Sequence, residues 1–433
     1  MPTATRARSS APAQTVEPAD FDRVISYITT EVLVERDLEM RVLVRGALAG
    51  VNIHMIGEPG VAKSLALREF TKSIEGARYF EKTVHGMLPA DAIIGGYDMP
   101  KFAATGEFVR NVDHYAPNAH VVFLDELPRA NGPVLDACLP FMNTQERVAE
   151  HNGGMMKTPI QFVVTASNTW FDPENLQAQA LSDRVTLMLK VEDVRSDDSF
   201  KELLRRDHAR RLTGTNVNGD PIDNGTQART GQAAPRETIT LDQFIAARDA
   251  VANVQLTPEF LDASATLRSE CKKEGLLVSP RRWVELTLVC RANAWMSGRD
   301  HTIAEDLAII EHGLWRDQDD IALAHKLVLK YHGRFEREAT AKRQEAAKAF
   351  AAVEEVRPIV EGTPPNEELE PEVLTKAISA SRQIDVVNER VDAILAEADK
   401  EKRDAAALRE LSNELLAVRK WFADNGLPTK YRP

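Results

Sequence analysis

Apolar residues recur at helical spacing at Phe21, Val24, Ile25 and Ile28, and again at Leu38, Val42, Leu43 and Leu48, which predicts two helices over residues 20–50. The pattern then changes. V-N-I-H-M-I (51–56) is an apolar run that breaks at Gly57, the signature of a buried strand entering a Gly- and Pro-containing loop. A helix is expected at about 63–75, then a strand near Arg78–Thr83 and a long connection over 84–118. Connections of that length inside a compact domain are functional or mobile. A-H-V-V-F-L-D-E (119–126) predicts a second buried strand, and a short helix follows at 131–142, capped by Asn131 with Pro133 in its first turn. Q-E-R-V-A-E-H-N-G-G-M-M-K-T-P-I reads as a β-hairpin turning at Asn152-Gly153-Gly154. I-Q-F-V-V-T-A-S-N (160–168) and the apolar run after Arg184 complete an open α/β sheet.

Beyond the sheet the pattern is helical. Residues 212–239 are polar and turn-rich and predict a mobile linker that ends the domain at 20–211. Over 240–332, Thr240-x-x-Gln243 and Thr302-x-x-Glu305 read as capping boxes, while Thr257-Pro258 and Ser279-Pro280 set an N-cap before a proline. Residues 333–356 continue as a helix, with Phe335, Ala339, Ala346, Phe350 and Val353 on one face. Pro358–Pro371 reads as an acidic linker. Pro371 then opens one helix of about fifty residues, about 75 Å if straight, that closes at Asn425-Gly426. Its stripe runs Ile384, Val387, Val391, Ile394, Ala398, Ala405 and Leu408, then slips by one to Leu411, Leu415, Val418 and Phe422. That stripe suits a coiled coil, an antiparallel hairpin with 333–356, or a helix packed on its own domain.

The chain has 433 residues and a net charge of −12, enough for two or three domains and too acidic for broad nucleic-acid affinity. No apolar run approaches a membrane span. The first 19 residues are rich in Arg, Ser and Ala and read as a disordered tail or a transit peptide. Cys138, Cys271 and Cys290 lie in predicted helices without C-x-x-C spacing, which suits buried thiols in a reducing cytosol.

The chemistry concentrates in a few stretches. G-E-P-G-V-A-K-S (57–64) fits the Walker A pattern G-x-x-x-x-G-K-[ST], with Ala62 in place of the second Gly. A helix N-terminus presents unpaired N–H groups, and the loop from Gly57, Glu58, Pro59, Gly60, Val61 and Ala62 to Lys63, Ser64 and Leu65 would wrap them round a nucleotide phosphate. Lys63 would reach the β/γ oxygens and Ser64 would hold Mg²⁺. Ala62 needs a backbone that tolerates a Cβ, so φ is expected to stay negative there. Asp125 and Glu126 end a strand at the edge where open α/β sheets bind ligands. Asp125 suits Mg²⁺, and Glu126 suits polarising an attacking water. Asn168 could orient that water, touch the γ-phosphate or cap a helix. Arg184 could be a surface residue, a strand-end cation or a finger for a neighbouring subunit. Arg281 and Arg282 fall in a first helical turn, where a bound anion would offset the unfavourable dipole and where solvated arginines are the alternative.

Together these residues resemble the AAA+ ATPases of the MoxR family, and most of all its RavA branch. G-E-P-G-V-A-K-S is similar to that family's Walker A, V-F-L-D-E-L to its Walker B, T-A-S-N to sensor 1 and S-D-R to the arginine-finger segment. L-V-S-P-R-R-W, A-W-M-S-G-R and D-L-A-I-I-E-H-G-L-W resemble the RavA lid. The likeness covers about 20–330 and implies a P-loop core with a parallel sheet, an all-α lid and hexameric rings with ATP and Mg²⁺ at subunit interfaces. It makes Lys63 and Ser64 phosphate and Mg²⁺ ligands, Asp125 a Mg²⁺ ligand, Glu126 the base, Asn168 sensor 1, Arg184 the trans finger and Arg281 sensor 2. It makes the 147–160 hairpin the pre-sensor insertion, and it puts a pore-facing helix-2 insertion within 84–118. It further implies protein remodelling or maturation, metal insertion included, with a von Willebrand A-type partner. The last 100 residues lack the β-rich composition of the RavA C-terminal region. A rival reading is a nucleic-acid-stimulated motor of the same hairpin-bearing clade, and another is an ATP-binding scaffold, which would not need Glu126. No N-K-x-D base-reading motif supports a GTPase.

Overall fold

The computed structural model describes residues 16–171, 176–212, 235–363, 369–401 and 406–430. The chain divides into two compact units after Val328. Residues 1–15 of the tail expected over 1–19 and most of the expected linker, 213–234, lie outside the described residues, while Pro18 and Ala19 already belong to the first helix, which Glu17 caps.

In the first unit, helices α1 (Pro18–Tyr27) and α2 (Asp37–Ala49) lead into strand β1 (Asn52–Ile56), and α3 (Lys63–Lys72) follows it. Next come β2 (Ile74–Glu75), β3 (Tyr79–Thr83), α4 (Asp91–Ile94), α5 (Met99–Thr105), β4 (Val121–Asp125) and α6 (Gly132–Cys138). The hairpin β5 (Val148–His151) and β6 (Gly154–Lys157), then β7 (Phe162–Ser167), α7 (Leu176–Arg184), β8 (Leu187–Lys190) and α8 (Asp197–Leu212) complete the core. The five-stranded sheet is wholly parallel, in the order β3-β4-β7-β1-β8. Helices cover it, so β1 and β7 are buried along their whole length, as a central parallel strand requires. The chain leaves β1 for the far edge at β3 and returns through β4 and β7, so the order reverses beside β1. That reversal opens a crevice at the carboxyl ends of the strands.

Asn131 caps α6 by accepting from Val134 N at 3.0 Å. The hairpin turns on Asn152 and Gly153, at φ 50° and 72°, the left-handed pair that matches strand twist. The 84–118 connection folds onto itself through an isolated bridge between Tyr97 and Arg110.

The lid comprises α9 (Leu241–Asn253), α10 (Pro258–Lys273), α11 (Pro280–Met296), α12 (Glu311–Leu314) and α13 (Gln318–Val328). A short parallel pair, β2 with β9 (Ile239–Thr240), ties its start to the end of α3. Thr240-x-x-Gln243 forms the expected capping box. The box expected at Thr302 does not form. The buried Thr302 hydroxyl lies 3.3 Å from Gln255 O, and Asp306 instead bonds Ile303 N at 2.8 Å, one residue later.

The second unit is a bundle of α14 (Arg334–Gly362), α15 (Pro371–Glu401) and α16 (Ala406–Asp424). Two expectations are corrected here. Helix α14 runs through Pro358 to Gly362, because Val356 and Val360 bury on the bundle side and hold the turn that proline weakens. The single helix expected from Pro371 is two helices that pack antiparallel, shown by Asp392 with Ser412, Asp385 with Arg419 and Ser381 with Pro428 O. Folding back lets each half of the stripe bury against the other and against α14. No helix among the described residues is long and apolar enough to cross a membrane.

Asp385 is buried and accepts from Arg419 Nε at 2.7 Å and Lys430 N at 2.8 Å. Removing one partner of a buried pair strands the other, so Asp385→Ala should cost about 3 kcal/mol. Urea unfolding followed by far-ultraviolet circular dichroism would measure it; an unchanged midpoint would refute the assignment.

Candidate functional site

The loop after β1 is shaped by close contacts. A Cβ on Gly57 would stand 2.2 Å from Val191 O, so only glycine lets the chain turn out between β1 and the end of β8. Gly60 follows at φ 91°. Ala62 sits at φ 69°, ψ 23°, against the expected negative φ. A left-handed alanine costs about 1–2 kcal/mol. The chain accepts this because alternating hands turn successive N–H groups toward one concavity. Among the described residues, the N–H groups of Gly60 through Ser64 donate to no carbonyl. Arg36, which sequence reasoning passed over, braces the loop from behind: its Nη2 donates to Glu192 O at 2.5 Å and lies 3.4 Å from Val61 O.

Lys63 opens α3 beneath this loop and is only 7% exposed. Its Nζ donates to Gly57 O at 2.5 Å, Glu58 O at 2.8 Å and Asn168 Oδ1 at 2.8 Å. Asn168 Nδ2 in turn donates to Glu126 Oε1 at 2.6 Å. Three expected site residues from three strand ends thus form one hydrogen-bonded chain. Burial pulls the Lys63 ammonium below its usual range, and Asp125 and Glu126 pull it back up.

Glu126 is left-handed at φ 57°, with its N–H donating to Asp125 Oδ1 at 3.0 Å. That turn swings its carboxylate away from the strand. Its Oε2 is buried without a hydrogen bond, although Arg129 Nε lies 3.2 Å away as an unaligned ion pair. Asp125 pairs with no cation among the described residues, and neither does the Ser64 hydroxyl find a protein partner. A hydroxyl and a carboxylate are hard oxygen donors, so this pair fits Mg²⁺.

Behind the loop lies a second residue that the sequence reading treated only as part of an apolar run. His54 is wholly buried in β1, its Nδ1 2.8 Å from Thr165 Oγ1 and its Nε2 3.0 Å from Ser167 Oγ. Ser167 Oγ donates to Thr169 O at 2.5 Å, so it must accept from His54 Nε2–H; Thr165 Oγ1 lies 3.4 Å from Ile53 O but only 2.8 Å from Nδ1, and its proton goes to the nearer acceptor, Nδ1. The ring is therefore neutral and joins β1 to the strand that ends at Asn168.

Arg184 and Arg281 are elsewhere. Asn52, the first residue of β1, donates to Arg184 O at 2.8 Å, which puts Arg184 at the opposite end of the strand from the loop. Four residue steps separate those ends, about 13 Å. Arg281 Nη2 donates to Asn143 Oδ1 at 3.0 Å at that same end. Burial and then the Arg281 charge lower the Arg184 guanidinium from its usual range, so the two cations are neighbours. Arg282 is buried and donates to Ser182 O at 2.8 Å. The anion expected to balance Arg281 and Arg282 is therefore not needed for Arg282, which has a protein acceptor.

Burial and the Lys63 charge hold His54 at about 3, below its ordinary 6.5. The folded chain then binds fewer protons than the unfolded one, so this contribution to stability is complete above pH 6.5 and is lost as pH falls toward 3. The loss is at most about 5 kcal/mol. His54→Leu should flatten the fall in melting temperature between pH 6 and 4. At pH 7 it should cost about 1–3 kcal/mol for the stranded hydroxyls. Equal acid sensitivity of the two proteins would refute a buried neutral His54.

Residues 20–221 match the MoxR domain of the MoxR-vWA-beta-propeller ternary systems, and residues 259–328 match an AAA lid domain. The chain is 25% identical to an uncharacterised protein of Methanocaldococcus jannaschii, over 68% of this chain and 70% of that one. It is 24% identical to chaperone MoxR1 of Mycobacterium tuberculosis, over 74% of this chain and 78% of that one. The crystal structure of a candidate ATPase from Cytophaga hutchinsonii shares its fold at a TM-score of 0.54 and 18% identity, covering 73% of this chain and 95% of that one. Over residues 20–221 and 259–328 the chain is therefore similar to the MoxR-family AAA+ ATPases and their lids, and its parallel-sheet core with a helical lid is the fold of an AAA+ ATPase.

Proposed function

We propose that the chain hydrolyses ATP with Mg²⁺ in a ring, a hexamer by its resemblance, and uses the turnover to remodel or mature a protein client. The observation that carries this reading is the Lys63–Asn168–Glu126 chain beside the phosphate loop. The acceptors of Lys63 are neutral oxygens, and anionic phosphate oxygens make stronger charge-assisted bonds. Phosphate would therefore take their place, with the N–H groups of Gly60 through Ser64 around it. Ser64 and Asp125 would hold Mg²⁺, which bridges phosphate oxygens and neutralises developing charge. Glu126, with one carboxylate oxygen held by Asn168 and the other without a hydrogen bond, is the group that accepts the water's proton. Asn168 fixes its aim.

Arg184 and Arg281 cannot serve the loop of their own chain from the far end of β1. Both would serve a neighbour's: Arg184 as finger, Arg281 as sensor 2. Leu277 and Val284, which flank Arg281 in sequence, are exposed at 80% and 58%, an apolar border that a neighbouring subunit would cover. A von Willebrand A-type partner is supported by the ternary systems for which the matching domain is described. Placement in the RavA branch rests on the lid motifs, while the all-α second unit sets this chain apart from the β-rich region of that branch.

Glu126→Gln should lower kcat by at least about 100-fold while ATP still binds. Arg184→Ala should lower kcat by about 1,000-fold with nucleotide affinity unchanged. Phosphate release and titration of a fluorescent ATP analogue measure the two quantities; wild-type turnover by Arg184→Ala would sink the finger. Lys63→Ala should fail to bind ATP. A client that co-purifies with Glu126→Gln but not with Lys63→Ala would identify what is remodelled.

A further inference from the structure

The lid holds the segment that carries Arg184 at several points. Arg282 Nη2 donates to Ser182 O at 2.8 Å, and its guanidinium lies 3.9 Å from the Asp183 carboxylate. Arg316 Nη2, just past α12, donates to Val185 O at 2.9 Å. Thr186 Oγ1 donates to Glu285 Oε2 at 2.6 Å, both residues being buried. The other Glu285 oxygen accepts from Thr144 Oγ1 at 2.5 Å and lies 3.4 Å from Arg281 Nε. Every residue from 182 to 186 except Arg184 thus has a lid residue at hydrogen-bond or ion-pair distance, while the core holds Arg184 O through Asn52.

The Arg184 side chain is held far less. Its Nη1 donates to Ala180 O at 3.0 Å, and its Nε is buried without a partner among the described residues. Its position is inherited from the backbone around it, and the lid sets that backbone. A buried carboxylate costs several kcal/mol to desolvate, and apolar packing would hold the lid on the core as well. What Glu285 adds is direction: one carboxylate fixes the Thr186 hydroxyl and the Arg281 guanidinium together.

We propose that Glu285, with Arg282 and Arg316, is a positioning residue for Arg184, so that the lid sets where each chain presents its arginine to the neighbouring subunit. This rests on the reading of Arg184 as a finger acting in trans. A lid movement that breaks the Glu285–Thr186 bond withdraws the finger from the next site without touching that site's own phosphate loop.

Mixing full-length subunits tests it. Arg184→Ala chains keep an intact phosphate loop but lack the finger. Glu126→Gln chains cannot hydrolyse but present a normal finger, so mixing the two should restore turnover at the Arg184→Ala sites. A Glu126→Gln/Glu285→Met donor should restore less than about a tenth of that turnover, since misplacement by about 1 Å can cost on the order of 100-fold. Its own affinity for a fluorescent ATP analogue should stay within about twofold of the Glu126→Gln donor, a kcat effect that general loss of structure would not give. Thr186→Val in the same donor removes only the finger-side bond. It should also impair rescue, and it carries the test if Glu285→Met does not fold. Equal rescue by donors with and without the Glu285 and Thr186 changes would overturn the positioning role. No rescue even by the plain Glu126→Gln donor would overturn the trans finger itself, and the positioning role with it.

Discussion

Strand β1 lies between β7 and β8 inside the sheet and is buried on both faces, yet its sequence places Asn52 and His54 on one of those faces. Buried polar groups must be paired, because each unpaired one costs about 1–3 kcal/mol. That requirement organises the domain. Asn52 is satisfied by Met142 O, Arg184 O and Arg147 Nη1, which brings together the segments before the hairpin and before β8. His54 is satisfied by the hydroxyls of Thr165 and Ser167, which locks β7 in register beside β1. The phosphate loop then leaves one end of a strand whose other end anchors Arg184.

Under the proposed reading, this geometry gives one chain the parts of two half-sites. Phosphoryl transfer is almost entirely positioning and charge stabilisation. Lys63, Asn168 and Glu126 meet because β1, β7 and β4 are adjacent and parallel, so their carboxyl ends fall on one edge. Arg184 falls on the opposite edge for the same reason, since the segment that enters a parallel strand lies on its amino-terminal side, while Arg281 reaches that edge from the lid through Asn143. Under that reading, separation along a strand is what makes each site depend on a neighbour. The buried Glu285 makes the lid part of that arrangement, because it bonds both Thr144 and Thr186 of the core.

Two of the six left-handed non-glycine residues among those described stand where the site is built. Ala62 and Glu126 are both left-handed without being glycine, and they flank the same crevice. In each case the unfavourable φ turns a functional group sharply off a regular element: the N–H groups ahead of α3, and the carboxylate after β4. Such residues persist where surrounding structure over-determines them. Here Arg36 braces the loop, and the Asp125 carboxylate holds the Glu126 N–H.

Much was legible in the chain itself. Predominantly apolar runs that break at Gly57, Asp125 and Asn168 mark buried parallel strands, because such strands are covered on both faces. Asn131, Thr240, Thr257 and Ser279 mark helix starts by pairing a short polar acceptor with the orphan N–H groups of a first turn. These signals are local, and local chemistry decides them. Other features were decided only in three dimensions. The φ of Ala62 depends on where the loop must aim, and the break in the long C-terminal stripe depends on whether its halves can bury each other. His54, Asn52, Arg36 and Glu285 carry no local signal beyond being polar among apolar neighbours, and their partners lie far along the chain. Sequence determines which side chains demand a partner; the fold alone determines which partner comes within reach.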